Sequence, residues 1–226
     1  MEPVAVFKPI HRIGRVMLYE TAISLQLTDF RTGMGLEQVA GKINTILLLT
    51  EDYTAKQEEY VFSAIAEYEP SVMDAFRQKH AVLRKAAEEL SIAVQETTGA
   101  LEPQQRAEAG RQLEALYTHF LRSQLKLMGE KERVLQPILE RYYTQDFLRA
   151  LQQELMQHDD CQLCLLQANW IIKTLEEEDL IAWLKTVEKK ASPECMQLLL
   201  AAAEEQMEGQ RFDKLTEALT EGVLLA

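Results

Sequence analysis

The sequence predicts an all-α protein, an up-down-up-down four-helix bundle followed by shorter C-terminal helices. Three observations predict it. Ala, Leu, Glu, Gln and Lys dominate the 226 residues, while Gly (9) and Pro (6) are few, the balance of an almost wholly helical chain. Apolar residues recur at three-and-four steps in four long stretches. The links between those stretches are short, which favours antiparallel neighbours.

Pro9 can open the first helix, because its missing N–H costs nothing in a first turn, and the pattern runs to about Phe30. Arg31-Thr-Gly-Met-Gly35 breaks it. The second helix starts near Leu36 and closes at Glu67-Tyr-Glu-Pro70; Pro70 disfavours helical geometry at Glu69 but suits the start of the third. The third ends at Thr97-Thr-Gly-Ala. Pro103 opens the fourth, which reaches about Tyr142, with Pro137 predicting a kink or a terminus inside it. Thr144 then caps a helix reaching His158, and Cys161 to Lys173, Glu177 to Lys189, Pro193 to Met207 and Phe212 to Leu219 read as shorter amphipathic helices. Ser192-Pro193 is a cap followed by a proline at the first helical position, and the acidic run Glu176 to Asp179 suits the positive end of a helix dipole. Asp159-Asp160 is the expected boundary, giving a bundle over 1–158 and an extension over 159–226. The alternative is one continuous domain with Trp170 and Trp183 packed back on the bundle.

A net charge of −12 and a pI near 4.9 argue against nucleic acid or anionic membrane as partner. Three cysteines do not make a disulfide framework, and a reducing cytosol is the simpler expectation. The N-terminal residues carry no basic segment followed by a long apolar run, and the stretch around Ile46-Leu47-Leu48-Leu49 is too short to span a bilayer. The expectation is a soluble cytoplasmic protein.

The four stripes carry polar residues where hydrocarbon is expected. His11 lies among Phe7, Gly14, Leu18, Ala22 and Leu25. Thr54 and Glu58 lie among Ile43, Leu47, Thr50, Val61 and Ile65. His80 lies among Met73, Phe76, Leu83, Ala87, Leu90 and Val94. Lys131 follows Leu113, Leu116, Phe120, Gln124 and Leu127 and precedes Val134 and Ile138. Two imidazoles and a carboxylate facing one cavity could ligate a first-row metal or close a hydrogen-bond network.

Ile10-His11-Arg12 with Leu18-Tyr-Glu-Thr21, Gln57-Glu-Glu-Tyr-Val-Phe62, Gln78-Lys-His80, and Glu132-Arg-Val-Leu-Gln-Pro-Ile-Leu139 with Tyr142 to Phe147 resemble the hemerythrin-like, or HHE cation-binding, family across all four bundle helices. The resemblance implies a four-helix bundle. In that family a di-iron centre is held by a His from helix one, a His-x-x-x-Glu pair from helix two, a His from helix three and a second such pair from helix four. Here His11, Glu58 and His80 match. Thr54 stands where the helix-two His belongs, Leu127 replaces the helix-four His and Lys131 replaces its Glu. An ammonium beside a metal costs several kcal/mol unless it is neutralised, so a di-iron centre is not expected. Two arrangements stay open: an ion pair between Lys131 and Glu58 with both histidines closing the hydrogen bonds, or a single iron or zinc ion on His11, Glu58 and His80.

Elsewhere, His158-Asp-Asp-Cys161-Gln-Leu-Cys164 is a lone Cys-x-x-Cys with a nearby His, read as small thiols on a buried face, and Cys195 has no assignment. His119 reads as surface or boundary, and Tyr19, Tyr53 and Tyr60 as core aromatics. No Gly-rich phosphate loop, nucleophile elbow or paired acid and base is found, so no enzyme activity is expected. The expected function is a binding or sensing module with at most one metal, or else a metal-free scaffold engaging a protein partner or a second copy.

Overall fold

The computed structural model describes residues 3–158 and 160–220. Among them are nine helices and no strand, apart from one isolated bridge between Asp29 and Met34. In chain order they are α1 (Lys8–Gln26), α2 (36–66), α3 (Pro70–Gly99), α4 (103–142), α5 (Gln145–Met156), α6 (Cys161–Thr174), α7 (Glu177–Glu188), α8 (Pro193–Gln206) and α9 (Gly209–Thr220). None is long and apolar enough to cross a membrane.

The punctuation works chemically. Pro70 and Pro103 each sit in the first turn of a helix, preceded by Glu69 and Glu102 in non-helical geometry. Thr144, Asp160 and Ser192 cap α5, α6 and α8, their side-chain oxygens accepting from Phe147, Gln162 and Cys195 backbone N–H. The first helix stops at Gln26, short of Phe30, because the Asp29 carboxylate takes the N–H of Arg31 and the Thr32 hydroxyl into a turn. Gly33 and Gly35 follow at φ 78°, which a side chain would strain. Arg106 locks this end of the molecule, donating to the carbonyls of Arg31, Ala100 and Leu101.

Two helices contain π segments, Gln57–Phe62 in α2 and Lys131–Leu135 in α4. Each inserts extra backbone into a turn, so the buried stripe changes register across it. In α4 the fully buried residues that follow Lys131 are Leu135, the last of the segment, and Leu139, while Val134 and Ile138 are half-buried, a one-residue correction to the expected stripe. The segment also accounts for Pro137, which lies in the first turn of the α-helix that resumes at Gln136, so the helix neither ends nor needs a free N–H there.

Helix α1 packs on α2 and α4, α2 on α3, and α3 along α4. Helix α6 lies on α1 and α2, with α8 beyond it, while α5 covers the π segment of α2. One hydrophobic core runs from Val6 to Leu215, across the position where the sequence suggested a boundary; of Asp159-Asp160, Asp159 lies outside the described residues. Trp170 Nε1 donates to Glu20 at 2.8 Å and Trp183 Nε1 to the Met156 carbonyl at 3.2 Å, so both indoles are buried with their polar edge satisfied. The cysteine expectation is corrected: Cys161 and Cys195 form a disulfide joining α6 to α8, and Cys164 is a buried free thiol. The cysteine count therefore no longer argues for a reducing compartment.

Gly110 is buried against the Phe30 ring, which occupies the space of a Cβ there. Gly110→Ala gains about 1 kcal/mol of helix propensity, but overpacking against a buried ring costs about 1–3 kcal/mol. A lower urea midpoint than the unsubstituted chain is expected, with an unchanged denaturant slope; a higher midpoint would show that Phe30 moves freely.

Candidate functional site

The two π segments meet the expected polar positions of α1 and α3. Each segment opens on a buried residue, Gln57 on α2 and Lys131 on α4, and the partly exposed carboxylate that follows it, Glu58 or Glu132, reaches an imidazole from the edge of the cluster. Gln57, Lys131, His11 and His80 are all buried.

Lys131 is 4% exposed and donates from Nζ to Gln57 Oε1. Its ammonium lies 5.5 Å from the centre of the Tyr53 ring, on a face that attracts cations. The expected ion pair with Glu58 is not the arrangement found. Glu58 receives His80 Nδ1 at 3.3 Å and lies 3.6 Å from Arg77 Nε, with its side chain about one-third exposed. It acts on Lys131 only at longer range. Helix two has apolar residues on all sides at Ile46 to Leu49, so its sequence does not choose the inward face. Ile46 and Leu49 are buried, whereas Leu47, Thr50, Thr54 and Glu58 line a cleft toward α3.

His11 is fully buried and stacked on Phe7 at 5.5 Å. Its Nδ1 lies 2.8 Å from Glu132 Oε1 and its Nε2 3.2 Å from the Tyr53 hydroxyl. Glu132 is held down to about 2, first by this hydrogen bond and also by Arg15 at 2.5 Å, against its partial burial. An ionised carboxylate can only accept, so Nδ1 carries the proton and Nε2 accepts from Tyr53. Burial lowers the His11 pKa to about 4, with Lys131 adding to that and Glu132 opposing it. Burial lowers His80 to about 3, helped by Lys131 and Arg84. His80 stacks on Phe62 at 4.9 Å, and its Nε2 is buried without a hydrogen-bond partner. Both rings are neutral at pH 7. Burial also lowers Lys131, to about 7, against the pull of Glu58. Tyr53, enclosed beside this cluster, is raised by burial and keeps its proton to donate.

In this arrangement His11, Glu58 and His80 do not converge on one point as the ligands of a single ion would. Both His11 nitrogens are engaged, one donating to Glu132 and one accepting from Tyr53, leaving no lone pair for an ion. The ammonium of Lys131 acts on both imidazoles. Among the described residues no three His, Cys, Asp or Glu side chains are grouped to hold one ion. Of the expected set, Glu58 and His80 come together while His11 is drawn to Glu132 and Tyr53. Leu127 is buried in the core and Thr54 faces the cleft.

Tyr53 was read only as a core aromatic, and Gln57 and Glu132 are the members that sequence reasoning missed. Their signal was the doubling of polar residues, Gln57-Glu58 and Lys131-Glu132, at two places on apolar stripes, which one α-helical face cannot accommodate. His119 is exposed as expected, Tyr19 is half exposed and Tyr60 is half-buried.

The cleft between α2 and α3 has a volume of about 670 Å³. Leu47, Leu83 and Ala87 supply apolar walls, and Thr54, Glu58, His80 and Arg84 the polar end. Size and lining suit a small amphipathic molecule.

The unfolded chain keeps the Lys131 proton up to its ordinary pKa of 10.5, while the folded chain gives it up near 7. Between these values the unfolded state binds more protons, so this group's contribution to stability rises with pH; it is lost as pH falls from 10.5 to about 7, below which both states hold the proton. Lys131→Met removes that dependence. The stability of the variant relative to the unsubstituted chain should fall by on the order of 1 kcal/mol per pH unit between about pH 7 and about pH 10, read from urea unfolding at each pH. A difference independent of pH would place the ammonium in water.

Compared with protein-family models, with curated proteins and with solved structures, the chain matches none.

Proposed function

We propose that the chain is a hemerythrin-like four-helix bundle with a helical C-terminal extension, in which a lysine ammonium takes the place of the metal, and that it serves as a binding or sensing module rather than as an oxygen carrier or enzyme. The observation that carries this reading is Lys131, buried and hydrogen-bonded to Gln57 at the level of the two imidazoles that match the family pattern. A lysine in that place brings positive charge within reach of Glu58, which acts on it at longer range, without requiring ligands at positions 54 and 127. The contacts of α1 with α2 and α4, and of α3 with α2 and α4, support the bundle reading, because they close a ring of four neighbours.

The binding role rests on the cleft between α2 and α3, whose polar end is the Glu58–His80 pair. A ligand there would replace water at Glu58 while its apolar body lies on Leu47 and Leu83, and any pull on Glu58 would be passed to His80, one of the groups facing Lys131.

Elemental analysis and an absorption spectrum of protein purified without chelator test the first half. No stoichiometric iron or zinc is expected; two irons with an oxo charge-transfer band would overturn the reading. Thr54→His, Leu127→His and Lys131→Glu introduced together should then create a site taking up about one metal ion per chain or more. A folded triple variant that binds none would refute the family register. For the second half, Nile red is expected to bind the unsubstituted chain at one saturable site, and Ala87→Trp, which fills the cleft, should weaken it by about tenfold, or 1.4 kcal/mol. Equal binding by both would leave the cleft without a role.

A further inference from the structure

All three cysteines line one small cavity, of about 120 Å³, at the junction of α6 and α8, with His158, Lys190 and Ser192 around them. Cys161 is the first residue of α6 and Cys164 lies one turn further on. Residues three apart on an α-helix have Cα atoms about 5 Å apart, inside the range that a disulfide spans. Cys161 is already bonded to Cys195 across a Cα separation of 5.9 Å. It is therefore placed within reach of two partners. Cys164 is 2% exposed and its thiol reaches the His158 carbonyl at 3.5 Å. Cys195 is in the first turn of α8, after the Ser192 cap and Pro193, and the helix dipole there stabilises a departing thiolate.

We propose that these residues form a thiol–disulfide exchange site in which Cys164 resolves the Cys161–Cys195 bond. Burial holds the Cys164 thiol above its usual pKa, so it must first give its proton to solvent; its sulfur then attacks Sγ of Cys161, the Cys161–Cys164 bond forms and the Cys161–Cys195 bond breaks. Cys195 leaves as thiolate and takes up the proton that Cys164 gave to solvent. Cys164 is oxidised, Cys195 is reduced, and no external oxidant is consumed. One state ties α6 to α8. The other closes a Cys-x-x-Cys pair at the start of α6 and frees α8 from its covalent link. Cys161 is partly exposed, so a small external thiol can also enter the cycle at that sulfur.

The test is disulfide mapping by mass spectrometry on folded protein held in a glutathione redox buffer and quenched with acid before alkylation. The unsubstituted chain should contain both Cys161–Cys195 and Cys161–Cys164 peptides, the second in at least about one chain in ten. Cys195→Ser should convert to Cys161–Cys164, and Cys164→Ser should show Cys161–Cys195 alone, each with the circular dichroism of the unsubstituted chain. The proposal is overturned if the unsubstituted chain never yields the Cys161–Cys164 peptide, or if folded Cys195→Ser leaves Cys161 and Cys164 as thiols or as separate glutathione adducts. Should Cys195→Ser not fold, the map of the unsubstituted chain decides alone.

Discussion

A lysine ammonium enclosed among helices is the constraint around which this molecule is arranged. Removing such a charge from water costs several kcal/mol unless it is bonded and balanced. Each neighbour of Lys131 answers part of that cost. Gln57 accepts from the ammonium, and the Tyr53 ring offers its electron-rich face. The two imidazoles stay neutral, so they add no competing charge. Two carboxylates stand further out: Glu58 at the cleft, and Glu132 behind His11, where Arg15 holds it. The network is incomplete, because the amide nitrogen of Gln57 and Nε2 of His80 are buried without partners. Within the cluster around Lys131, those two atoms leave hydrogen-bonding capacity unused.

The same economy governs how the C-terminal helices are attached. Their union with the rest is not purely apolar. Lys56, near the end of the α-helical part of α2, donates to Asp52 at 2.7 Å and to the carbonyl of Gln157, and His158 Nδ1 meets Asp52 at 2.8 Å while its Nε2 meets Gln167 Oε1 at 2.7 Å. Asp52 keeps its charge despite partial burial, because His158 and Lys56 hold its carboxyl below the usual value. The link between α5 and α6 is thus bonded to the helix that carries Tyr53 and Gln57. A buried ionic joint of this kind adds less to stability than to fixing one relative position, and the continuous core beside it supplies the burial.

The helices were legible in the sequence because their signals are local. A proline at a first turn, a threonine or serine cap and a three-and-four stripe need no knowledge of the partner. Pro70, Pro103, Thr144 and Ser192 all act where they were expected. The site was only half legible. His11, His80 and Lys131 are buried as their stripes required. Which of two adjacent polar residues faces inward depends on the π segments, and a π segment is a response to packing rather than a residue pattern. Glu58 was therefore placed too deep and Gln57 overlooked. The disulfide was illegible for a related reason: Cys161 and Cys195 are 34 residues apart, and their approach depends on how α6 and α8 lie against each other.

A fixed ammonium and a bound metal differ in what can change around them. A metal leaves its site when its ligands are protonated or captured, whereas a lysine cannot leave; it can only lose its proton. At Lys131 that loss falls near neutrality, because burial opposes the charge more than Glu58 supports it. Glu58 is also the one carboxylate of the pair that opens on the cleft. On the proposed reading, a cationic ligand group at Glu58 would weaken the pull on the Lys131 proton, and an anionic one drawn to Arg84 would strengthen it. By linkage, the proton on Lys131 must alter the affinity of that ligand by the same factor. On that reading the interior charge and the cleft are two ends of one equilibrium, joined through Glu58.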